Sequence, residues 1–103
     1  MTTGDGRRRG SDPSLLVLIS LAAGPRHGHA MLRDIEEFSD HQLGPGTLYG
    51  AIERLEDDGL IEALPADDRR TPYRLTGAGA DYLGRRAREL GRLVGVARKR
   101  AET

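Results

Sequence analysis

A short run near the middle of the chain, residues 43–55, constrains the fold more than any other segment. Pro45 suits the first position of a helix, because the N–H group that proline lacks would be unpaired there. Leu48, Ile52 and Leu55 follow at spacings of four and three residues, which places them on one face of a helix. The run therefore predicts an amphipathic helix that begins at Pro45 and buries this face.

The two halves of the outward face of this helix differ in charge. Its first half presents Gly46 and Gly50 at the positive end of the helix dipole, whereas its second half carries Glu53, Asp57 and Asp58. An anion could approach the uncovered backbone N–H groups of the first turn, and the carboxylates would repel it from the second half. Helices that enter the major groove of DNA by their N-terminal residues have this polarity.

Two further helices are predicted before this segment. Asp12 and Pro13 suit the N-cap and the first position of a helix, and the apolar run after them predicts that this helix is buried. A second helix spans residues 27–38, and a short turn joins it to the central helix, which makes a helix-turn-helix. Its candidates for inward-facing residues are Ala30, Met31, Leu32, Ile35 and Phe38.

Two strand-like pieces follow the central helix, at residues 60–64 and 73–75. The polar loop between them is rich in turn-forming residues, so the pieces predict a β-hairpin, the wing of a winged helix. Arg69 and Arg70 near its tip suit contact with phosphates or with a minor groove. A solvated hairpin, in which two neighbouring aspartates partly neutralise the arginines, is an equally open interpretation.

The last segment, residues 77–103, predicts a long helix with a narrow apolar seam whose members recur at alternating steps of three and four residues. Because a lone helix with such a seam would expose apolar surface, we predict that it pairs with a second copy of the chain. The residues assigned to dimerisation are Leu83, Ala87, Leu90, Val94 and Ala97.

The predicted elements together give a fold class that is mainly α with a small β-hairpin. The chain divides into a disordered basic tail (residues 1–11), a winged helix-turn-helix (residues 12–76) and a C-terminal dimerisation helix (residues 77–103).

Composition narrows the classes of function. The chain of 103 residues has no cysteine, which excludes disulfides, thiolate chemistry and cysteine-based zinc sites. Its net charge is zero, but three basic and nine acidic residues give −6 over residues 13–64, and seven basic and three acidic residues give +4 over residues 77–103. A polyanion responds to this distribution of charge more than to the net charge of the chain.

The motifs that catalysis would need are missing from the sequence. We expect neither an enzyme nor a cofactor, since no nucleophile, metalloprotease or phosphate-loop motif is present. We also expect no membrane partner, since the apolar run of the first helix is too short to span a bilayer.

Three blocks of the sequence resemble the PadR family of bacterial transcriptional regulators. They are His27-Gly28-His29, residues 43–49 continued by residues 52–61, and residues 69–79. The similarity covers about Leu15 to Leu90, most of the chain. Two positions depart from the family pattern, which usually has tyrosine where His29 stands and proline where Gly50 stands.

The resemblance implies a cytoplasmic homodimeric repressor that binds an inverted-repeat operator in double-stranded DNA. It assigns DNA contacts to His29, Pro45, Gly46, Thr47, Tyr49, Arg54, Arg69 and Arg70. Relatives sense small aromatic or drug-like ligands, often between the C-terminal helices and the first helix, so a small aromatic effector is a candidate partner. The chain has only four aromatic residues with which to stack on such a ligand.

Two other interpretations stay open. The acid-rich middle segment would suit a winged helix that binds protein rather than DNA. A metal-sensing regulator would use His27, His29 and His41, with Asp40, as ligands of zinc. His27 and His29 are two residues apart and would not share a helix face, which favours histidines that lie at the surface or against a DNA backbone.

Overall fold

The structure, a computed structural model, describes residues 12–102 as four helices and three short strands. In chain order these are α1 (Pro13–Ala22), β1 (Arg26–His27), α2 (Gly28–Ser39), α3 (Pro45–Asp57), β2 (Ile61–Ala63), β3 (Pro72–Leu75) and α4 (Gly77–Ala101). The strands form one antiparallel sheet in the order β1-β3-β2. The predicted fold class, a mainly helical winged helix-turn-helix with a β-hairpin, is confirmed. The predicted disordered tail, residues 1–11, lies outside the described residues.

The helix ends follow from local hydrogen bonds. Asp12 Oδ1 accepts from the backbone N–H two residues on (3.0 Å), so the predicted N-cap of α1 is confirmed. Thr76 Oγ1 caps α4 in the same way and accepts from the N–H three residues on (3.0 Å). α3 is followed by Gly59 at φ 75°, a backbone conformation that glycine adopts without steric cost. α2 begins one residue later than predicted, because His27 is its N-cap and accepts from the Ala30 N–H (3.4 Å).

The hydrophobic core lies between α1, α2 and α3. Its buried apolar residues are Leu16, Val17, Leu18, Leu21, Met31, Ile35, Leu48, Ala51, Ile52, Leu55 and Ile61. The inward face predicted for α3 is confirmed, with Ala51 added to it. Two expectations are wrong: Phe38 lies in the last turn of α2 and is exposed, and Ile19 leaves one side of α1 open to solvent.

The sequence pattern does not predict β1, which is only two residues long. Its residues pair with Tyr73 and Pro72 of β3, so β1 adds a third strand to the hairpin. Hydrogen bonds anchor this strand to the helices: Arg26 Nε donates to the Ser20 carbonyl (3.2 Å), and the buried Ser20 Oγ donates to Asp34 Oδ2 (2.7 Å). The wing is thereby joined directly to the start of α2.

No helix within residues 12–102 combines the length and the apolar composition that crossing a bilayer requires.

α4 packs against the rest of the chain at Gly79, where a side chain does not fit. A Cβ atom built on Gly79 would overlap the backbone carbonyl of Leu60. Replacing Gly79 with alanine is therefore expected to lower the free energy of unfolding by about 1–3 kcal/mol, the usual range for overpacking. Urea unfolding measures the loss.

The matched control is Gly95→Ala in the same helix. Nothing lies within 4 Å of a Cβ atom built on Gly95, so alanine should be neutral there or raise stability by up to about 1 kcal/mol. Equal losses in the two variants would contradict the assignment of Gly79 to a close backbone contact.

Candidate nucleic-acid interface

The N-terminus of α3 is exposed and lacks a capping side chain. α1, α2 and α4 each begin with a side-chain acceptor, whereas α3 begins with Gly44. Within residues 12–102, no group accepts a hydrogen bond from the backbone N–H of Gly46 or Thr47, and Pro45 has no N–H to satisfy. The first turn of α3 therefore presents two free donors and the positive end of the helix dipole to an anion.

Four of the predicted DNA-binding residues lie together between α2, α3 and the wing. His29, Tyr49, Arg69 and Arg70 line a cleft of about 520 Å³, which we call the wing cleft. The remaining lining residues are His27, Gly28, Thr71 and Tyr73. None of the eight is acidic, so the wing cleft combines positive charge with hydroxyl and imidazole groups that can donate hydrogen bonds.

Tyr49 is positioned by a glycine of the preceding helix. A Cβ atom built on Gly28 would come within 2.5 Å of Tyr49 Cζ, so the ring lies against the bare backbone at the start of α2. Tyr49 remains 48% exposed, and its accessible part faces the wing cleft. This contact explains why the His-Gly-His motif and the Tyr49 block belong to one site, although 21 positions separate Gly28 and Tyr49 in the chain.

Tyr73 and His27 are two residues of the wing cleft that the sequence does not assign to the site. Burial raises the pKa of the Tyr73 phenol above its usual value, and the nearby Glu56 carboxylate adds to this shift. Tyr73 therefore stays a neutral O–H donor at physiological pH. His27 belongs to the same short motif as His29, but only its contacts with α2 and the wing identify it as part of this surface.

The tip of the wing is a two-residue turn. The Asp67 N–H donates to the Arg70 carbonyl (2.7 Å), and the Arg70 N–H donates back to the Asp67 carbonyl (2.9 Å). The two residues between them, Asp68 and Arg69, have φ values of 54° and 70°. Turns with positive φ at both central residues usually carry glycine at the second, because a Cβ atom is crowded there. Arg69 stands at this position, exposed at the far end of the hairpin.

Arg54 does not join this group of residues. It lies in a second cleft of about 260 Å³ between the start of α1, the end of α3 and α4, where Asp12, Asp58 and Arg86 are also found. Arg74, which follows the wing loop, forms a salt bridge with Glu62, with 2.7 Å between Arg74 Nε and Glu62 Oε2. Arg54 therefore does not line the wing cleft. The arginines that line it are Arg69 and Arg70, at the tip of the wing.

The residues assigned to dimerisation follow α4 away from the rest of the chain. Leu83 packs on the core of its own chain and Leu90 is half-buried, whereas the others in the predicted seam are exposed. Val94 is 49% exposed, and Leu93, which the seam does not include, is 62% exposed. Every residue from 91 to 102 is exposed. The second half of α4 therefore presents apolar side chains that residues 12–102 of the same chain do not cover.

The histidines do not form a metal-binding cluster. Within the part of the chain that the structure describes, no three His, Asp or Glu side chains lie close enough together to hold an ion. The zinc-sensing alternative, with His27, His29, His41 and Asp40, receives no support from this geometry.

Comparisons with known proteins agree with this geometry. The pattern of the transcriptional regulator PadR-like family matches residues 16–85. A transcriptional regulator from Clostridium thermocellum has a similar structure, with a TM-score of 0.78 and 27% identity, over 96% of this chain and 97% of that one. An uncharacterized 37.1 kDa protein in transposon TN4556 of Streptomyces fradiae is 47% identical over 84% of this chain and 25% of its own length. The transcriptional activator GvpE2 of Halobacterium salinarum is 35% identical over 67% of this chain and 35% of its own length.

The chain spans about a quarter to a third of the length of these two curated relatives. The family pattern, in contrast, takes in α2, α3, the wing and the part of α4 that packs on the core. It therefore includes every residue of the wing cleft and the open N-terminus of α3. The chain belongs to the PadR-like family of transcriptional regulators, whose members bind DNA and are not enzymes.

Proposed function

We propose that the chain regulates transcription in the cytoplasm as a homodimer bound to an inverted-repeat operator. The observation that carries the proposal is the position of the acid-free wing cleft beside the uncapped N-terminus of α3. Two backbone donors, two arginines, two histidines and two tyrosines lie on this part of the surface. Donors of this kind fix the position of a protein on the phosphate backbone.

The charge along α3 supports one direction of approach. Its first turns carry no acid, and Glu53, Glu56, Asp57 and Asp58 follow at its other end. The helix can therefore enter a major groove with Pro45, Gly46 and Thr47 leading, while the wing lies against the flanking backbone. The interpretation as a protein-binding winged helix keeps its acidic surface, because Asp34 and Glu37 line a cleft that adjoins His29 and Arg70. The first turn of α3 and the lining of the wing cleft carry no acid, which favours DNA for that part of the surface.

The apolar surface of α4 supports the homodimer. The helix contacts its own chain through Gly79, Tyr82 and Leu83, and its apolar residues continue at helical spacing beyond that contact. A second copy would cover them, and a two-fold pair would present two α3 helices to two half-sites.

Repression, relieved by a small molecule, is proposed from the family resemblance. The Halobacterium salinarum relative is named an activator, so a reporter gene under the selected operator must decide the direction. The cleft that holds Arg54 lies between α1, α3 and α4, where an effector could act on both the DNA-binding and the dimerising parts. Its volume of about 260 Å³ is below the usual range for drug-sized ligands, which favours a small effector.

Binding-site selection from random duplexes with the purified chain tests the proposed function. We expect enrichment of an inverted repeat whose half-sites lie about one helical turn, or a multiple of it, apart. Affinity should fall steeply as salt rises, since phosphate contacts release counterions. Failure to enrich any duplex at low salt would contradict the proposal and favour a protein partner.

Replacing Arg69 with glycine is expected to separate stability from binding. Glycine adopts the φ of 70° without the steric penalty of about 1–2 kcal/mol that a Cβ atom brings, so the wing should keep or gain stability. The same change removes a guanidinium from the wing tip, so affinity for DNA should fall several-fold. Thermal unfolding and fluorescence anisotropy measure the two effects.

Asp68→Gly is the matched control for this turn. It relaxes the neighbouring residue with positive φ and removes a negative charge, so binding should be unchanged or stronger. If Arg69→Gly lost stability and affinity in parallel, the assignment of Arg69 to the DNA would lose its support.

A further inference from the structure

The two contacts of the His27 ring cannot both be hydrogen bonds. Its Nδ1 lies 3.4 Å from the backbone nitrogen of Ala30, and its Nε2 lies 3.2 Å from Nη1 of Arg70. Both neighbours can only donate. A neutral imidazole has one accepting nitrogen and a protonated imidazole has none, so in every protonation state at least one ring N–H faces another donor.

Each tautomer of the neutral His27 ring forms one of these hydrogen bonds: with the proton on Nε2 the ring caps α2, and with the proton on Nδ1 it accepts from Arg70. For Nδ1 to accept from the Ala30 N–H, the proton must be on Nε2, which then points towards the guanidinium of Arg70. Arg70 forms no salt bridge within residues 12–102, although Asp67 and Asp68 lie beside it on the outer side of the wing. In the Nε2–H tautomer, His27 and Arg70 direct two donors towards each other, and neither of these residues forms a salt bridge within residues 12–102.

We propose that His27 and Arg70 together bind one phosphate of the DNA backbone. A phosphate oxygen accepts from His27 Nε2–H and from the Arg70 guanidinium at once, which removes the conflict between the donors while Nδ1 continues to cap α2. Both residues line the wing cleft with His29 and Thr71, and no acidic side chain lines that cleft. The carboxylates of Asp34, Glu37, Asp67 and Asp68 line the adjoining clefts on the other sides of the pair, so the phosphate would approach from the wing cleft. The inference rests on the proposed function and adds His27 to the interface.

A phosphate fits this space better than a base edge for two reasons. The charged oxygen forms charge-assisted hydrogen bonds, which are about twice as strong as neutral ones. The pair also lies where β1, β3 and the start of α2 meet, beside α3 rather than on its outward face, so it contacts the strand that flanks the groove.

His27→Ser separates the capping role from the phosphate contact. Serine is among the best N-cap residues, so the fold should be kept, but its side chain is too short to reach a phosphate held by Arg70. We expect operator affinity of the dimer to fall at least about tenfold, because a hydrogen bond to a charged group is lost in each subunit. The salt dependence should stay the same, since a neutral side chain releases no counterion, whereas Arg70→Ala should reduce its slope by about one for each subunit.

Two further measurements make the outcome decisive. His41→Ser, an imidazole change in the turn between α2 and α3 and outside the wing cleft, should leave affinity unchanged. Imidazole ¹⁵N chemical shifts of the unmodified chain on DNA should report the Nε2–H tautomer of His27, a result that does not depend on the stability of any variant.

Wild-type affinity in a folded His27→Ser protein, or the Nδ1–H tautomer in the complex, would overturn the inference. If arginine replacement at the wing weakened binding at the same time, the proposed function would still stand. If neither change altered binding to any duplex, both would fall.

Discussion

Replacing Arg69 and Arg70 together with alanine is expected to weaken binding to every duplex, whatever its sequence, by about two orders of magnitude near physiological salt. The two guanidinium groups lie at the wing tip, they form no salt bridge within residues 12–102, and a dimer carries four of them. Each phosphate contact contributes about 0.9 to the slope of log K against log salt. The slope should therefore fall in magnitude by about two to four, as fluorescence anisotropy over a salt series would measure.

Arg74→Ala is the matched control. Arg74 lies in the same hairpin, but its guanidinium is held by Glu62 at 2.7 Å, so its removal should leave the salt slope unchanged. A double variant with the slope of the unmodified chain would mean that the wing does not touch the backbone. In that case the solvated hairpin, with Asp67 and Asp68 beside the arginines, would be the correct interpretation.

Structural features that depend only on residues a few positions apart in the chain could be predicted from the sequence. The apolar spacing of Leu48, Ile52 and Leu55 sets the buried face of α3, because helical geometry alone decides which residues share a face. The N-caps at Asp12 and Thr76 follow from the same local logic, since a short polar side chain satisfies a backbone N–H two or three residues away. The winged helix-turn-helix then results from the order of these elements.

Features that depend on distant contacts could not be predicted. β1 is too short to show a pattern and exists only because Pro72 and Tyr73 pair with it. The contact between His27 and Arg70 joins residues that lie 43 positions apart, and no spacing rule gives their separation in space. The surroundings of Arg54 are a similar case: the side chain is exposed, its Nη1 lies 3.7 Å from a Cβ atom built on Gly50 one turn earlier, and it also lines a cleft with residues of α1 and α4. The phosphate contact assigned to Arg54 stays a prediction.

Replacing Val94 with glutamate is expected to convert the proposed dimer to a monomer and to reduce affinity for a full operator by about 10²–10⁴-fold. Val94 is half exposed on the part of α4 that its own chain does not cover, and we assign it to the dimer interface. At a two-fold interface each substitution occurs twice, so two carboxylates would be desolvated near each other in an apolar contact.

The loss of affinity follows from the loss of connection between half-sites. A monomer keeps the wing cleft and α3 and should bind a single half-site as one subunit does, but it loses the effective concentration that links the second half-site to the first. Light scattering measures the oligomeric state, and anisotropy with full and half operators measures affinity.

Arg92→Gln is the control for charge, because it changes the net charge by the same single unit two residues earlier, on the opposite face of α4. It should stay dimeric. If Val94→Glu also stayed dimeric and bound the full operator normally, the interface would have to lie elsewhere on the chain. The apolar surface of Leu93 and Val94 would then be without a role in DNA binding, and the two-fold arrangement of the α3 helices would need another origin.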